Sequence, residues 1–274
     1  MSFSPSAPDS SHPISMQAIR QYGANVAPPG LCMVPPMDQP EWWRLERRAA
    51  RAWPAVDVEE RDGWLLRHTP LVPRRRTNSA LPLPGATPSI EAVERYYRDR
   101  GRAVCVQVSP AEAHTALDGA LAARGYRRDV PTLILTAPTS AVAGEAGPVE
   151  RVRDRARWPE VFGALDDRLT TVEVIMRIPE PVALFAATAG GALAGMGVVA
   201  VDDGYAGVFC MVTRPGHRRR GIASDVLAAG AAWAEGEGAR CLYLQVEEDN
   251  PGARALYARR GFTLSHGYHY RISD

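Results

Sequence analysis

The sequence predicts an α/β (α+β) fold made of two halves of similar size. Three observations carry that expectation. Helix-period and strand-type runs alternate from residue 41 onward, a Pro/Gly-rich stretch, APTSAVAGEAGP, parts the chain near its middle, and both halves close on the same order of elements. In the first half the helical run IEAVERYYRDRG precedes a strand, AVCVQV, a helix, PAEAHTALDGALAARG, and Tyr126. In the second, DVLAAGAAWAEGEG precedes CLYLQV, PGARALYARRG and Phe262. Gln107 matches Gln245 at an offset of 138 residues and Gly125 matches Gly261 at 136, the pattern of a degenerate tandem repeat.

Composition bounds the function. The 274 residues are 46% hydrophobic and 23% charged, ordinary for a soluble chain with a real core. A net charge of +1 leaves no global field to recruit nucleic acid or an anionic membrane, so neither partner is expected and any basic site is local. Cys32, Cys105, Cys210 and Cys241 form no CxxC pair; no metal site is indicated and a reducing cytoplasm fits. The first residues lack a basic flank followed by an apolar core, so the expected localisation is cytoplasmic.

Residues 1–40, rich in Pro and Ser, read as a disordered leader, with Met37 an alternative start to Met1. A first domain over 41–136 opens on EWWRLERRAARAW, where Trp42, Leu45, Ala49 and Trp53 share a helical face closed by Pro54; GWLLR then reads as a strand. Arg74, Arg75 and Arg76 read as a solvated turn, and Ser109-Pro110-Ala111-Glu112 as a capping box. Residues 137–147 read as a linker and 148–274 as the second domain. There, Ala183 to Val201 is an uncharged run of 19 residues, long enough to span a bilayer, but Gly190-Gly191 at its centre marks it as a buried hairpin.

The strand YAGVFCMVT ends at Arg214-Pro215, and GHRRRGIAS leads into a helix whose Ile222, Val226, Gly230 and Trp233 share a face. A helix start carries unpaired N–H groups and partial positive charge. Gly221 lets a phosphate approach the backbone, Ala223 keeps the next turn bare, and Arg218, Arg219 and Arg220 add charge, so the junction suits a pyrophosphate. Further on, Asn250 suits an N-cap, Pro251 the first helical position and Gly261 the left-handed end. Asn250, Arg254 and Tyr257 then share a face; a plain cap and a core tyrosine are the structural alternatives.

Arg218 to Ala223 reads R-x-x-G-x-A, and LYLQVEEDNPGARALYARRGF supplies a strand, an Asn-x-x-Ala-x-x-Leu-Tyr helix and a closing Gly-Phe. In this order and spacing the motifs resemble the GNAT superfamily of acyl-CoA-dependent N-acyltransferases, over about residues 148–274. The resemblance implies tandem GNAT-like domains, each a mixed, largely antiparallel twisted sheet flanked by helices, with a degenerate first copy. That copy keeps arginines in RRRTNSALPLPGATPSIEAV without the glycine pattern and has Leu121 where Tyr257 stands, so one CoA per chain is expected and the first half becomes a wall for the acceptor site.

The resemblance also implies acetyl-CoA as co-substrate, no metal, and a small-molecule amine as acceptor. A protein N-terminus or lysine is the alternative acceptor, and a non-catalytic acyl-CoA sensor or interaction module the alternative function; a monomer or homodimer is expected. Backbone N–H groups of Met211, Val212 and Thr213 would meet the acyl carbonyl and pantetheine. The backbone from Arg219 through Gly221, Ile222 and Ala223 to Ser224 would hold the pyrophosphate, with Asn250 touching the CoA arm and Tyr257 protonating the leaving thiolate. Where some relatives carry a glutamate base this chain has Gln245, which accepts no proton at neutral pH, so Glu247, Glu173 or a water chain are the candidates for that role. His266 and His269, three apart on a late strand, read as strand histidines or substrate-facing groups.

Overall fold

The computed structural model describes residues 40–166 and 170–274; the expected leader, Pro40 apart, and Met37 lie outside the described residues. The first half runs α1 (Glu41–Ala52), β1 (Asp57–Arg61), β2 (Trp64–His68), β3 (Ala80–Pro82), α2 (Ile90–Arg98), β4 (Cys105–Val108), α3 (Thr115–Ala123) and β5 (Arg127–Pro138). After α4 (Thr139–Val142) come β6 (Val149–Val152), α5 (Trp158–Leu165), α6 (Thr170–Ile175), β7 (Val182–Ala189), β8 (Ala192–Asp202) and β9 (Tyr205–Thr213). The chain closes on α7 (Ile222–Gly236), β10 (Cys241–Glu247), α8 (Pro251–Arg259) and β11 (Thr263–Ile272).

All these strands form one sheet in the order β1-β2-β3-β4-β11-β5-β10-β9-β8-β7-β6. It is mixed and largely antiparallel, with parallel pairing at β9–β10 and β3–β4. The two halves interleave: β5, which ends the first, lies antiparallel between β10 and β11, and β11 reaches back to pair with β4. The repeat therefore shares a single sheet.

The expected hairpin is present. Gly190 and Gly191, at φ 61° and 77°, turn β7 into β8, as a two-residue turn with two positive φ angles requires. Among the described residues no helix is long and apolar enough to cross a membrane. Helices α7 and α8 cover one face of the sheet, where Val226, Leu227, Ala231 and Tyr257 pack with Ala206, Leu242 and Leu244. A Cβ on Gly230 would fall 2.7 Å from Val199 Cγ2, so glycine lets α7 lie close on β8. On the other face α1, α5 and α6 bring Leu45, Trp53, Trp158, Phe162 and Ile175 onto Tyr205, Phe209 and Tyr243. Each such fully buried large side chain contributes roughly 1.5–3 kcal/mol. A third cluster packs Tyr97 and Leu121 on Trp64 and Val106 in the first half.

Two local expectations need correction. Residues 137–147 do not form a plain linker: Ala137 and Pro138 finish β5, and α4 buries Thr139 and Val142, the latter against the α7 side of the core. Small apolar residues among Gly, Pro and Ser let the segment pack where composition reads as a spacer. Ser109 does not cap a helix either. It is buried, and its hydroxyl donates to the Glu46 carboxylate, while α3 starts after His114 with no side-chain cap.

Glu46 of α1 collects further partners across both halves. Gln107 Nε2 donates to each of its oxygens at 3.0 Å, and His266 Nε2 lies 3.3 Å from Oε1. Burial would raise this carboxyl's pKa, but the bonds with His266 and Ser109 and the charge of Arg67 hold it below the usual value. His269 is buried against Asp118 Oδ1 at 2.6 Å, so both β11 histidines pair with carboxylates of the first half.

Candidate functional site

The site begins where two strands part. β9 and β10 pair in parallel only from Tyr205/Cys241 to Val208/Leu244; beyond that, β10 stays on β5 and β9 stays on β8. The split coincides with a bulge, because Met196 pairs with Val212 and Val198 with Phe209, so Cys210 and Met211 oppose one residue of β8. Cys210 takes φ 53° there. The β10-facing edge of β9 after Val208, including Met211, Val212 and Thr213, is thus freed from the ladder, as an edge strand's donors and acceptors are.

Below the split the chain turns through Pro215–His217 into α7. Gly221 is the N-cap, at φ 86°, with no side chain capping the helix. The first bond of its ladder runs from the Asp225 N–H to the Gly221 carbonyl at 3.0 Å, so the N–H groups of Ile222, Ala223 and Ser224 precede it. Arg219 is also left-handed, at φ 63°, a conformation that recurs in anion-binding backbone nests.

These parts line one cleft of about 840 Å³. Of the sequence-predicted residues it brings together Met211, Val212, Thr213, Arg218, Arg219, Gly221, Ile222, Ala223, Ser224, Asn250 and Tyr257. Arg220 is exposed and does not line it. Asn250 both lines the cleft and caps α8, its Oδ1 accepting the Ala253 N–H at 3.0 Å. Tyr257 is buried against Phe262, ring centres 5.6 Å apart, yet its hydroxyl bonds no described residue. Burial pushes its pKa up to about 12, so it holds its proton at neutral pH.

Gly252, Ala253, Leu256, Arg259 and Arg260 line the cleft as well, and the motif reading did not single them out for it. Their signal was available: Ala253, Leu256 and Arg260 recur at helical spacing beside Tyr257. Arg260 Nε donates to Ser224 Oγ at 2.6 Å, which closes the cleft between α7 and α8.

The opposite face of the split holds different chemistry. Gln245 Oε1 accepts from the Tyr268 hydroxyl at 3.1 Å, and Glu247, two residues on, shares that face but is exposed. Glu173 is exposed on α6. Neither glutamate lines the cleft. Arg74, Arg75 and Arg76 do not form the solvated turn expected: Arg74 donates to Thr171 Oγ1 at 2.9 Å, Arg75 pairs with Asp129, and Arg76 lies over Trp53. Thr171 comes from the second half, while Asp129 and Trp53 belong to the first, all distant from the turn in sequence. Among the described residues no group of three or more His, Cys, Asp or Glu is placed to hold a metal ion.

The family model described as probable histone acetyltransferase Rv0428c, C-terminal, matches residues 41–271. An uncharacterized N-acetyltransferase, YobR, of Bacillus subtilis (strain 168) is 28% identical over 244 residues, 84% of this chain and 97% of that protein. Among solved structures, a GCN5-related N-acetyltransferase from Kribbella flavida aligns with a TM-score of 0.66 at 16% identity, covering 85% of this chain and 95% of its own. A tandem GNAT protein from the clavulanic acid biosynthesis pathway aligns at 0.55 with 14% identity, covering 89% and 90%.

Proposed function

We propose, for a chain that belongs to the Rv0428c C-terminal family and through it to the GNAT superfamily of acetyltransferases, that this acyltransferase moves an acetyl group from acetyl-CoA to the primary amine of a small or amino-acid-like acceptor. The observation that carries the reading is the parting of β9 from β10 at the head of the same cleft that holds the uncapped start of α7 and Tyr257. Direct transfer asks for those three things in one place: backbone donors for the carbonyl, a seat for a pyrophosphate, and a proton for the thiolate.

In this reading the N–H groups of Ile222, Ala223 and Ser224, with Gly221 leaving room, hold the pyrophosphate, and Arg218, Arg219, Arg259 and Arg260 add positive charge around it. Asn250 and the bared edge from Met211 to Thr213 hold the arm. A neutral amine attacks the thioester carbon; its nitrogen bonds to that carbon as the carbon–sulfur bond breaks. Tyr257, protonated at neutral pH, gives its proton to the departing thiolate and regains one from solvent. The amine's own proton leaves through water or through Glu247 or Glu173, the exposed carboxylates of the opposite face. Transfer belongs to residues 148–274, and the first half serves as wall and support.

Calorimetry with acetyl-CoA on the native chain and on an Arg220→Glu, Gly221→Asp double variant tests the seat, with loss of binding in the variant expected; equal binding would refute it. A screen of amines that follows thiol release tests transfer. Tight acetyl-CoA binding with no turnover on any amine would make the chain a sensor instead.

A further inference from the structure

The first half delivers a cation to the split between β9 and β10, on the face opposite α7 and α8. Arg76 lies in the turn Arg75–Thr77, half-buried, with its guanidinium carbon 5.7 Å from the centre of the Trp53 ring. Trp53 in turn packs on Phe209, ring centres 5.6 Å apart, and Phe209 is the last residue before the bulge. The titratable groups that face the guanidinium are the hydroxyls of Tyr243, Tyr268 and Tyr270, that of Tyr268 hydrogen-bonded to it, and the thiol of Cys210, at the bulge itself. None of these is a carboxylate, and Arg76 makes no ion pair among the described residues.

The placement is built. Asn78 Nδ2 donates to the carbonyls of Val72 and Arg74 at 2.8 and 3.0 Å, and its Oδ1 accepts the Thr69 N–H at 2.9 Å. Arg74 reaches Thr171 of α6 and Arg75 reaches Asp129 of β5, so the two residues before Arg76 are anchored while it faces the split. A charge drawn partly out of water without a counter-ion is costly, and an anion that arrives beside it recovers that cost.

We infer that Arg76 is the receptor for a carboxylate on the acceptor, so that the amine substrate is an amino acid or a close analogue; this rests on the transfer reading above. A guanidinium offers paired N–H donors that match a carboxylate's two oxygens. Its position beside Cys210, next in sequence to Met211, puts it near the bared edge of β9, where a carboxylate close to the reacting amine would meet it. Gln245 fits the same acceptor. Through Tyr268 it belongs to this face, and a neutral amide there does not repel an anionic substrate, whereas a glutamate at that position would.

The test is binding of matched products in the presence of saturating CoA: the N-acetyl derivatives of the common amino acids, each as free acid and as primary carboxamide, measured by calorimetry. At least one free acid is expected to bind about 10-fold or more tighter than its carboxamide. In Arg76→Gln that preference is lost, while Arg76→Lys, which keeps a charge without the planar fork, retains part of it. Equal binding of acid and carboxamide by the native chain, or binding of neither, overturns the inference without any variant. So does a preference that survives in Arg76→Gln, or an equal loss for acid and carboxamide, which would mark Arg76 as packing for Trp53. Thiol release from acetyl-CoA separates the two readings. Acid-selective binding without thiol release keeps the carboxylate receptor and removes transfer; thiol release as fast with amines that lack a carboxylate does the reverse.

Discussion

Arg260 donates through Nε to the Ser224 hydroxyl at 2.6 Å, joining the last turn of α8 to the first turn of α7 across the cleft. The bond sets a cation beside the bare N–H groups of the α7 start and fixes the spacing of the two helices. Arg260→Met keeps most of the apolar stem and removes both the bond and the charge. The dissociation constant for acetyl-CoA is expected to rise about 10-fold, with little change in melting temperature, because a charge-assisted bond at a half-exposed position is lost. Calorimetry on the two proteins checks it, and an unchanged constant would remove Arg260 from the seat.

Gly221 occupies the left-handed region at φ 86°, where a Cβ meets the following carbonyl. A Cβ added there would have ordinary contact with Asp225 Oδ2 at 3.7 Å, so crowding by neighbours is not the difficulty. The cost of Gly221→Ala is conformational, about 1–2 kcal/mol, and should appear as a lower urea midpoint at an unchanged slope. Acetyl-CoA affinity should fall in the same variant, since relief of the strain rotates the N–H groups that open α7. A variant as stable as the native chain would show that the turn adapts at no cost.

Much of this cleft was legible in sequence because its parts are local. A proline that ends a strand, a glycine before a helix and an Asn-Pro cap are each decided by neighbours within a few residues. The strand exchange was not legible: β5 and β11 pair residues such as Leu135 and Leu264, and no local pattern distinguishes that pairing from a hairpin inside either half. Arg76 was misread for the same reason. Three consecutive arginines look solvated until Trp53, Thr171 and Asp129 are folded against them. Ser109 and His266 likewise acquire their meaning from Glu46, a residue at the other end of the chain from His266.

Tyr257→Phe isolates the hydroxyl. The ring contacts with Phe262 persist, so acetyl-CoA binding should stay within about two-fold, while kcat falls about 100-fold if the phenol supplies the thiolate's proton. Because burial raises its pKa to about 12, the group should impose no alkaline loss of kcat below about pH 11. The stability effect has a definite sign. A folded pKa above the ordinary value of 10.0 adds stability that is full below pH 10 and lost as pH rises through 12, so the phenylalanine variant should lose less stability over that window. Steady-state kinetics and alkaline urea titrations read the two effects separately, and an unchanged kcat would exclude Tyr257 as the acid.

Asp118 ties the first half to the final strand, and its charge state should govern the acid stability of that junction. Arg271 donates to its two oxygens at 2.7 and 2.9 Å, and His269 lies 2.6 Å from Oδ1. The hydrogen bonds from Arg271, with His269 adding to them against the effect of burial, bring the carboxyl to about 2 from an ordinary 3.8. A depressed carboxyl adds stability that is present above pH 3.8 and lost as pH falls through 2. Asp118→Asn should therefore lower the urea midpoint at pH 7, and the gap from the native chain should close as both are titrated from pH 4 toward 2. His269 works in the same direction at milder acidity, because its burial lowers its pKa below 6.5 and its protonation below that pH disfavours the fold. A gap that stays constant down to pH 2 would mean that Asp118 acts through packing and not through its charge.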